Sequence, residues 1–290
     1  MNIINLNGGL GNQLFQYSFG MAMKYAHGID VKFCDTFVNP QQLKIQDIFD
    51  ISLPLANIND FKNTIGGVFL NEYLRDYSLR LMRKLGLKEF GNFIIENYKY
   101  PLSSLPMEQN KFFYGYWQNY NFFYNSLLSI KKDLKIKNFG ITANYFNKFY
   151  DQYSNIVCLH LRLGDYKHKK NLNVYSEIPI GYYQNAISLF EKKLSKPLFI
   201  LFSDQLEKVD KSFFKKNIIP SSSIVKKSKD DFSIMSNCDS FILSNSTFSL
   251  WAAYLSNKKN IYVTKPNSWF KDKNIEKANK YYPKDWSYLY

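Results

Sequence analysis

Short apolar runs, each closed by glycine, hydroxyl or charged residues and followed by a stretch of helical period, organise the second half of this chain. They predict strands at 156–161, 198–202, 223–225, 240–243 and 260–263, with helices at 179–194, 231–237 and 247–255 between them. Pro179 suits a first-turn position. Regular β-α-β alternation implies a parallel sheet with right-handed crossovers. In the first half, the apolar run 3–6 enters Asn7-Gly8-Gly9-Leu10-Gly11-Asn12-Gln13, then a helical pattern over 14–26 and a strand at 31–34. This is the β–glycine loop–α–β start of a Rossmann-like unit. Further along, 71–85 reads as a helix with Leu74, Leu79, Leu81 and Met82 on its apolar face, 112–117 as a strand, and 122–136 and 142–153 as helices. No linker rich in Pro, Gly or Ser separates the halves. A boundary within 138–154 gives two domains, 1–145 and 146–290, with the C-terminal tail free to return to the first.

Length and composition fit this division. A chain of 290 residues with 46% apolar and 21% charged content has material for two soluble domains. Aromatics reach 18%, with 23 Tyr and 25 Phe, which fits either a proteome-wide bias or platforms for sugar rings. The formal charge of +14 is spread over clusters at 80–88, 131–137, 167–170, 211–216, 226–229 and 271–280. None forms a nucleic-acid module, so no nucleic-acid partner is expected, and a peripheral contact with anionic membrane fits the charge better. Cys34, Cys158 and Cys238 sit in apolar settings and read as small buried hydrophobes rather than a disulfide framework. With neither a signal-peptide pattern nor an apolar run of membrane-spanning length, the expected location is cytoplasmic, at most on the inner face of the membrane.

Four segments fall where ligands bind in open α/β sheets, at strand carboxyl ends. In the first, Gly9 and Gly11 let backbone approach a ligand at a helix N-terminus, while Asn12 and Gln13 are either helix caps or hydrogen-bonding partners of a sugar. The spacing matches neither the dinucleotide fingerprint nor a Walker A loop. The second is His160-Leu161-Arg162-Leu163-Gly164-Asp165-Tyr166, in which His160 and Arg162 share one strand face. Arg162 offers a fork of donors matched to phosphate, or else an ion pair with Asp165; His160 is a ligand contact or a satisfied core histidine. The third, Phe202-Ser203-Asp204, reads as a helix cap. The fourth joins Asp230-Asp231 to the run Ser244 to Ala253. Ser246 and Thr247 open a helix as phosphate donors or as plain caps. Asp231 either accepts two parallel hydrogen bonds, as guanine N1 and N2 would donate, or sits on the helix dipole.

Taken in order, Gly8 to Tyr17, His160 to Tyr166, Phe202 to Asp204 and Ser244 to Ala253 resemble the successive motifs of the bacterial α-1,2-fucosyltransferases of glycosyltransferase family eleven. The resemblance implies a GT-B type α/β fold, two Rossmann-like domains facing a central cleft. It implies inverting transfer of L-fucose from GDP-fucose to the 2-hydroxyl of a galactose, with no metal and no cofactor. The acceptor would be a galactose-terminated glycan, an O-antigen or capsule intermediate. Residue by residue, Arg162 would hold the β-phosphate, His160 the ribose and phosphate region, and Ser246 and Thr247 the phosphates, with Gly9 and Gly11 in the approach loop. Asp231, eight residues before Asp239 and sixteen before Thr247, matches the spacing of a guanine-binding acid. Asn12 matches an amide that approaches fucose and acceptor. Leu163 replaces a second arginine common in the family, which leaves the bracing of that loop open. Asp165, with Glu177 behind it, is the candidate base; a structural tie to Arg162 is the alternative. Two rival readings remain: a GT-B transferase using another nucleotide sugar, and a non-catalytic nucleotide- or glycan-binding relative.

Overall fold

The computed structural model describes residues 1–66, 72–97, 102–137, 142–162, 173–210, 217–225, 228–258, 261–284 and 286–288. Strand β1 (Asn2–Asn7) is buried over five of its six residues, as expected for the interior of a parallel sheet. Helix α1 (Leu10–His27) lies close on this strand because Gly20 lacks a side chain. A Cβ there would meet Ile4 Cγ1 at 2.9 Å and Val31 Cγ1 at 3.0 Å. The helix stops at Gly28, whose left-handed φ of 65° lets its N–H reach the last carbonyls.

The first unit continues through β2 (Val31–Phe37), α2 (Ile45–Ile48), α3 (Ile58–Ile65), α4 (Glu72–Lys84), β3 (Glu89–Phe90), β4 (Phe93–Ile95), β5 (Phe112–Tyr114) and α5 (Leu127–Asp133). Its sheet runs β2-β1-β5-β4-β3, parallel except for β3. The second unit holds α6 (Thr142–Tyr150), β6 (Asn155–Leu161), α7 (Ile180–Lys193), β7 (Pro197–Ser203), β8 (Ile218–Pro220), α8 (Ser228–Asn237), β9 (Ser240–Ile242), α9 (Thr247–Leu255), β10 (Tyr262–Thr264), α10 (Lys273–Ala278) and β11 (Ser287–Tyr288). Its sheet, β11-β10-β9-β6-β7-β8, is parallel throughout. Val157, Leu159, Leu161, Phe199 and Leu201 of that sheet pack on Tyr183, Ile187 and Phe190 of α7.

The units comprise Met1–Ile136 with Lys277–Tyr281, and Lys137–Glu276 with Tyr282–Tyr290. Division therefore falls at 136/137 rather than at 145/146, because α6 belongs wholly to the second unit. The Asp239 carboxylate accepts from the Tyr150 hydroxyl of α6 at 2.9 Å and from the Ile156 amide at 2.7 Å, and pairs with Lys258 at 2.7 Å. Of the tail, only Lys277–Tyr281 groups with the first unit, where the Tyr120 amide donates to the Lys280 carbonyl at 2.7 Å; Tyr282–Tyr290 belongs to the second.

Three expectations change. The strand expected at 223–225 lies at Ile218–Pro220, where two β-branched residues supply the ladder, and Ser221–Ser223 instead form a 3-10 turn. The helix expected at 122–136 is broken into 3-10 turns at Tyr120–Phe122 and Tyr124–Ser126 before α5, with Asn119 capping the first. In α4 the inward face carries Arg75, only 2% exposed, whose guanidinium lies 4.5 Å from the centre of the Phe61 ring; Leu81 points outward at 44% exposure. Among the described residues no helix is long and apolar enough to cross a membrane.

Candidate functional site

Each sheet has a point where its chain order turns back, and both points carry polar residues. In the second unit β6 lies between β7 and β9, so the crossovers leave it in opposite directions and open a crevice at the carboxyl ends of β6 and β9. Arg162 follows the last residue of β6 and is half-buried. Ser244 lies two residues past β9.

His160 ties these ends together. It is 5% exposed, and its Nδ1 lies 2.9 Å from Ser244 Oγ and 2.8 Å from Ser249 Oγ, in the first turn of α9. Burial first, and then the Arg162 charge, push its pKa down to about 3, against an opposing pull from Asp204. The imidazole is therefore neutral at physiological pH and braces the crevice rather than adding charge to it. Of the openings the sequence leaves for His160, the geometry at Nδ1 is that of a satisfied core residue.

The start of α9 carries no negative charge. Its first turn holds no acid to offset the helix dipole, and its leading amides have no partner within the helix. Ser246, at the N-cap, is 3% exposed and makes no capping bond. Its Oγ is buried without a hydrogen-bond partner among the described residues. Such a combination receives phosphate oxygens readily. The neighbouring α8 supplies Asp231 in its own first turn, beside the buried Asp230. Phe232 and Phe248 meet edge to face at 5.1 Å, packing the first turn of α8 against that of α9. Asp231 Oδ1 is likewise buried and unpartnered among the described residues. Its pKa is pushed up to about 6, chiefly by burial, with the Ser221 hydroxyl opposing and the Asp230 charge adding. With the Ser221 hydroxyl on the carboxylate, Oδ1 alone is left to accept a further donor.

In the first unit the corresponding point lies between β1 and β5. Gln16 bridges it: its Oε1 accepts from the Asn7 amide at 2.9 Å and its Nε2 donates to the Gly115 carbonyl at 2.8 Å. Gln13, 1% exposed, donates to the carbonyls of Gly8 and Leu43 and is structural. Asn12 differs. It is half-buried, and its Oδ1 accepts from Gln118 Nε2 at 2.8 Å while Gln118 Oε1 accepts from the Tyr281 hydroxyl at 3.1 Å. Gly8 takes φ 75°, and a Cβ there would sit 2.7 Å from Asn12 Nδ2; a Cβ on Gly9 would meet nothing within 4 Å, leaving its backbone open to approach. Gly11 is buried inside α1.

Glu96 closes this end of the sheet. Its two carboxylate oxygens accept from the amides of Tyr116 and Trp117, each at 2.8 Å, and hold Trp117 at a left-handed φ of 54°. Gly115 is required beside it, since a Cβ would lie 2.3 Å from Glu96 Cβ. Gly115→Ala is expected to lower the unfolding free energy by about 1–3 kcal/mol, read as a fall in denaturation midpoint.

The structure thus gathers His160, Arg162, Asp231, Ser246 and Thr247 at one sheet's carboxyl end, and Gly9, Gly11 and Asn12 at the other's. Leu163 and Asp165 lie outside the described residues, and Glu177 is exposed ahead of α7. Asp204 follows β7, and the residues after it form a 3-10 turn at Leu206–Lys208 rather than an α-helix. The sequence reading missed Gln16, Glu96, Gln118 and Tyr281. The one local signal is a polar amide, Gln118, set among aromatics after the 112–114 strand.

The model of the family described as Glycosyl transferase family 11 matches residues 1–290. An alpha-1,2-colitosyltransferase of Escherichia coli is 27% identical, the match covering 92% of each chain. The O-antigen biosynthesis glycosyltransferase WbnK of Escherichia coli is 24% identical, over 94% of this chain and 96% of WbnK. Galactoside alpha-(1,2)-fucosyltransferase 2 of Rattus norvegicus is 25% identical, over 93% of this chain and 72% of that protein. Two solved structures share the fold at lower identity. The fucosyltransferase NodZ from Bradyrhizobium has a TM-score of 0.51 at 12% identity, covering 90% of this chain and 93% of its own. A mutant of Arabidopsis thaliana FUT1 in complex with GDP has a TM-score of 0.51 at 9% identity, covering 92% and 71%. The fold is of GT-B type, with a Rossmann-like sheet in each unit.

Proposed function

We propose, because the chain belongs to glycosyl transferase family 11, that it transfers L-fucose from GDP-fucose to the 2-hydroxyl of a galactose residue, inverting the anomeric centre and needing no metal. The observation that carries this reading is the anion-ready start of α9, with its unpartnered Ser246 Oγ, at the crevice where Arg162 leaves β6. Cleavage of the donor's C1–O bond leaves charge on the β-phosphate. In the proposed mechanism Arg162, the Ser246 hydroxyl and the start of α9 at Thr247 receive it, as preorganised donors do at developing oxyanions. Asp231 accepts from guanine N1 and N2. His160 keeps the two strand ends in register. Gly9, Gly11 and Asn12 serve the acceptor side, with Gln118 and Tyr281 fixing the Asn12 amide. Asp165 takes the proton of the attacking hydroxyl.

The acceptor we assign is a galactose-terminated O-antigen or capsule intermediate, met in the cytoplasm. The name of WbnK, an O-antigen biosynthesis enzyme, supports that choice. A second reading concerns the sugar alone. One relative is named a colitosyltransferase, and colitose lacks the 3-hydroxyl of fucose, so GDP-colitose is the alternative donor.

Calorimetric titration with GDP, UDP and ADP is expected to give clear binding for GDP alone; tight UDP binding would remove the guanine assignment. Transfer is then read with GDP-fucose and GDP-colitose on β-1,3- and β-1,4-linked galactosides in excess chelator. Product from GDP-fucose is the expected outcome. Faster turnover of GDP-colitose would reassign the sugar, loss of turnover in chelator would reassign the leaving-group chemistry, and binding without transfer or hydrolysis would reduce the protein to a nucleotide-sugar binder.

A further inference from the structure

Five exposed large apolar side chains of the first unit fall within residues 77–90. On the outer face of α4 stand Tyr77, 69% exposed, and Leu81, 44%. Past the helix end come Leu85 at 66%, Leu87 at 39% and Phe90 at 50%. The opposite face of α4 is committed to the core through Arg75, Leu79 and Met82, so the outer side chains have no inward alternative.

The backbone that presents them is fixed. The Leu87 amide donates to the Met82 carbonyl at 3.0 Å and the Gly86 amide to the Arg83 carbonyl at 3.1 Å, with Gly86 at φ 74°. That is a Schellman closure, which fixes the backbone that carries the exposed Leu85 and Leu87. Next, β3 pairs antiparallel with β4, and the Ile95 amide donates to the Lys88 carbonyl at 2.7 Å, so Phe90 is carried on a hydrogen-bonded strand.

Basic side chains interleave with the apolar ones at four-residue steps. Arg80 and Lys84 each precede an exposed leucine, and Lys88 follows; all three are exposed. Residues 77–90 hold four basic side chains, Arg80, Arg83, Lys84 and Lys88, against one acid, Glu89, a net of +3. This composition discriminates between occupants. Protein–protein interfaces are depleted in lysine. A bilayer interface takes this combination: apolar side chains enter the headgroup–acyl boundary while long basic ones reach lipid phosphates along their methylene stems.

We propose that the outer face of α4 and the 85–90 segment is a docking surface for anionic phospholipid bilayers, with Leu81, Leu85, Leu87 and Phe90 inserted and Arg80, Lys84 and Lys88 on lipid phosphates. The proposal rests on no part of the donor reading. Its consequence is that the protein works on a two-dimensional surface.

The test is co-sedimentation of the full chain with vesicles of phosphatidylglycerol and phosphatidylcholine, against phosphatidylcholine alone, over a salt series. Binding to the anionic vesicles, weakening as salt shortens the screening length, is expected. Replacing Arg80, Lys84 and Lys88 by glutamine should lower the partition coefficient about a hundredfold, at about fivefold per cation. Leu85→Ser with Phe90→Ser should lower it at least about tenfold by removing inserted apolar surface. A control replacing Lys271, Lys273 and Lys277 by glutamine removes equal charge elsewhere and should change it less than about threefold. All variants should keep the parent's melting temperature and its activity on soluble acceptors. Three results would overturn the proposal: a parent that ignores anionic vesicles, a face variant that binds as the parent does, or a control that loses as much. Self-association of the parent, abolished by the Leu85 and Phe90 changes in protein that does not bind vesicles, would assign the face to a second copy instead.

Discussion

Arg162→Ala is expected to reduce kcat by about 10²–10³-fold, the loss that follows removal of one preorganised donor to a developing oxyanion. The side chain is half-buried at the end of β6, where its charge is strong enough to help hold His160 neutral. A charge in that setting acts on a leaving group at lower effective dielectric than in bulk water. The melting temperature should move little, because His160 already joins the end of β6 to Ser244 and to Ser249 of α9. Arg162→Lys should recover only part of the rate, since a point charge replaces a planar fork. Stopped or initial-rate assays with purified, folded variants decide the matter. Turnover of Arg162→Ala near the parent's would remove the residue from the reaction.

Asp231→Asn is expected to weaken GDP binding by about 10–100-fold, the discrimination carried by one bidentate base contact. The same change should stabilise the ligand-free protein above pH 6. Burial raises this carboxyl from 3.8 to about 6, so the fold favours its protonated form. That contribution is full below the unfolded value and is lost as pH rises through about 6. At neutral pH the parent therefore carries an ionised, half-buried carboxylate at a cost that asparagine avoids. Guanine needs the ionised form to accept from N1 and N2. Parent affinity for GDP should thus be flat above about 6 and fall about tenfold per pH unit below it, and the variant should show no such slope. Calorimetry and thermal melts over pH 5 to 8 read both effects. A parent whose affinity is pH-independent would separate Asp231 from the base.

How much of this was legible in the sequence follows from what makes each feature. Strands β6 and β7, buried on both faces of a parallel sheet, read as unbroken apolar runs, and the pattern placed them within one or two residues. Helix α9 was placed without error because a hydroxyl cap precedes a strongly apolar stretch. Elements of two to four residues, such as α2, β3 and β4, are too short to show a period and passed unnoticed. At Ser221–Ser223 the error was one of chemistry: hydroxyl-rich sequence after Pro220 favours a turn, while the ladder belongs to the isoleucines before it. The candidate site residues were visible as residue types at strand ends. Their division of labour was not. His160 meets Ser249 across 89 positions and Gln118 meets Asn12 across 106, and no local pattern announces a bond that only the fold creates. Arg75 broke the expected apolar face of α4 for a related reason, since the ring of Phe61 that receives it comes from another helix.

The return of residues 277–281 bears on how this enzyme can be recombined. Tyr281 completes the amide relay to Asn12 from the far end of the chain, within the unit that begins at Met1. A chimera made by one crossover near residue 137 would take its first half from one parent and that tyrosine from the other. Exchange of intact halves therefore needs junctions at 136/137, 276/277 and 281/282. Recombinants of a single crossover should survive chiefly between parents that agree over those five residues.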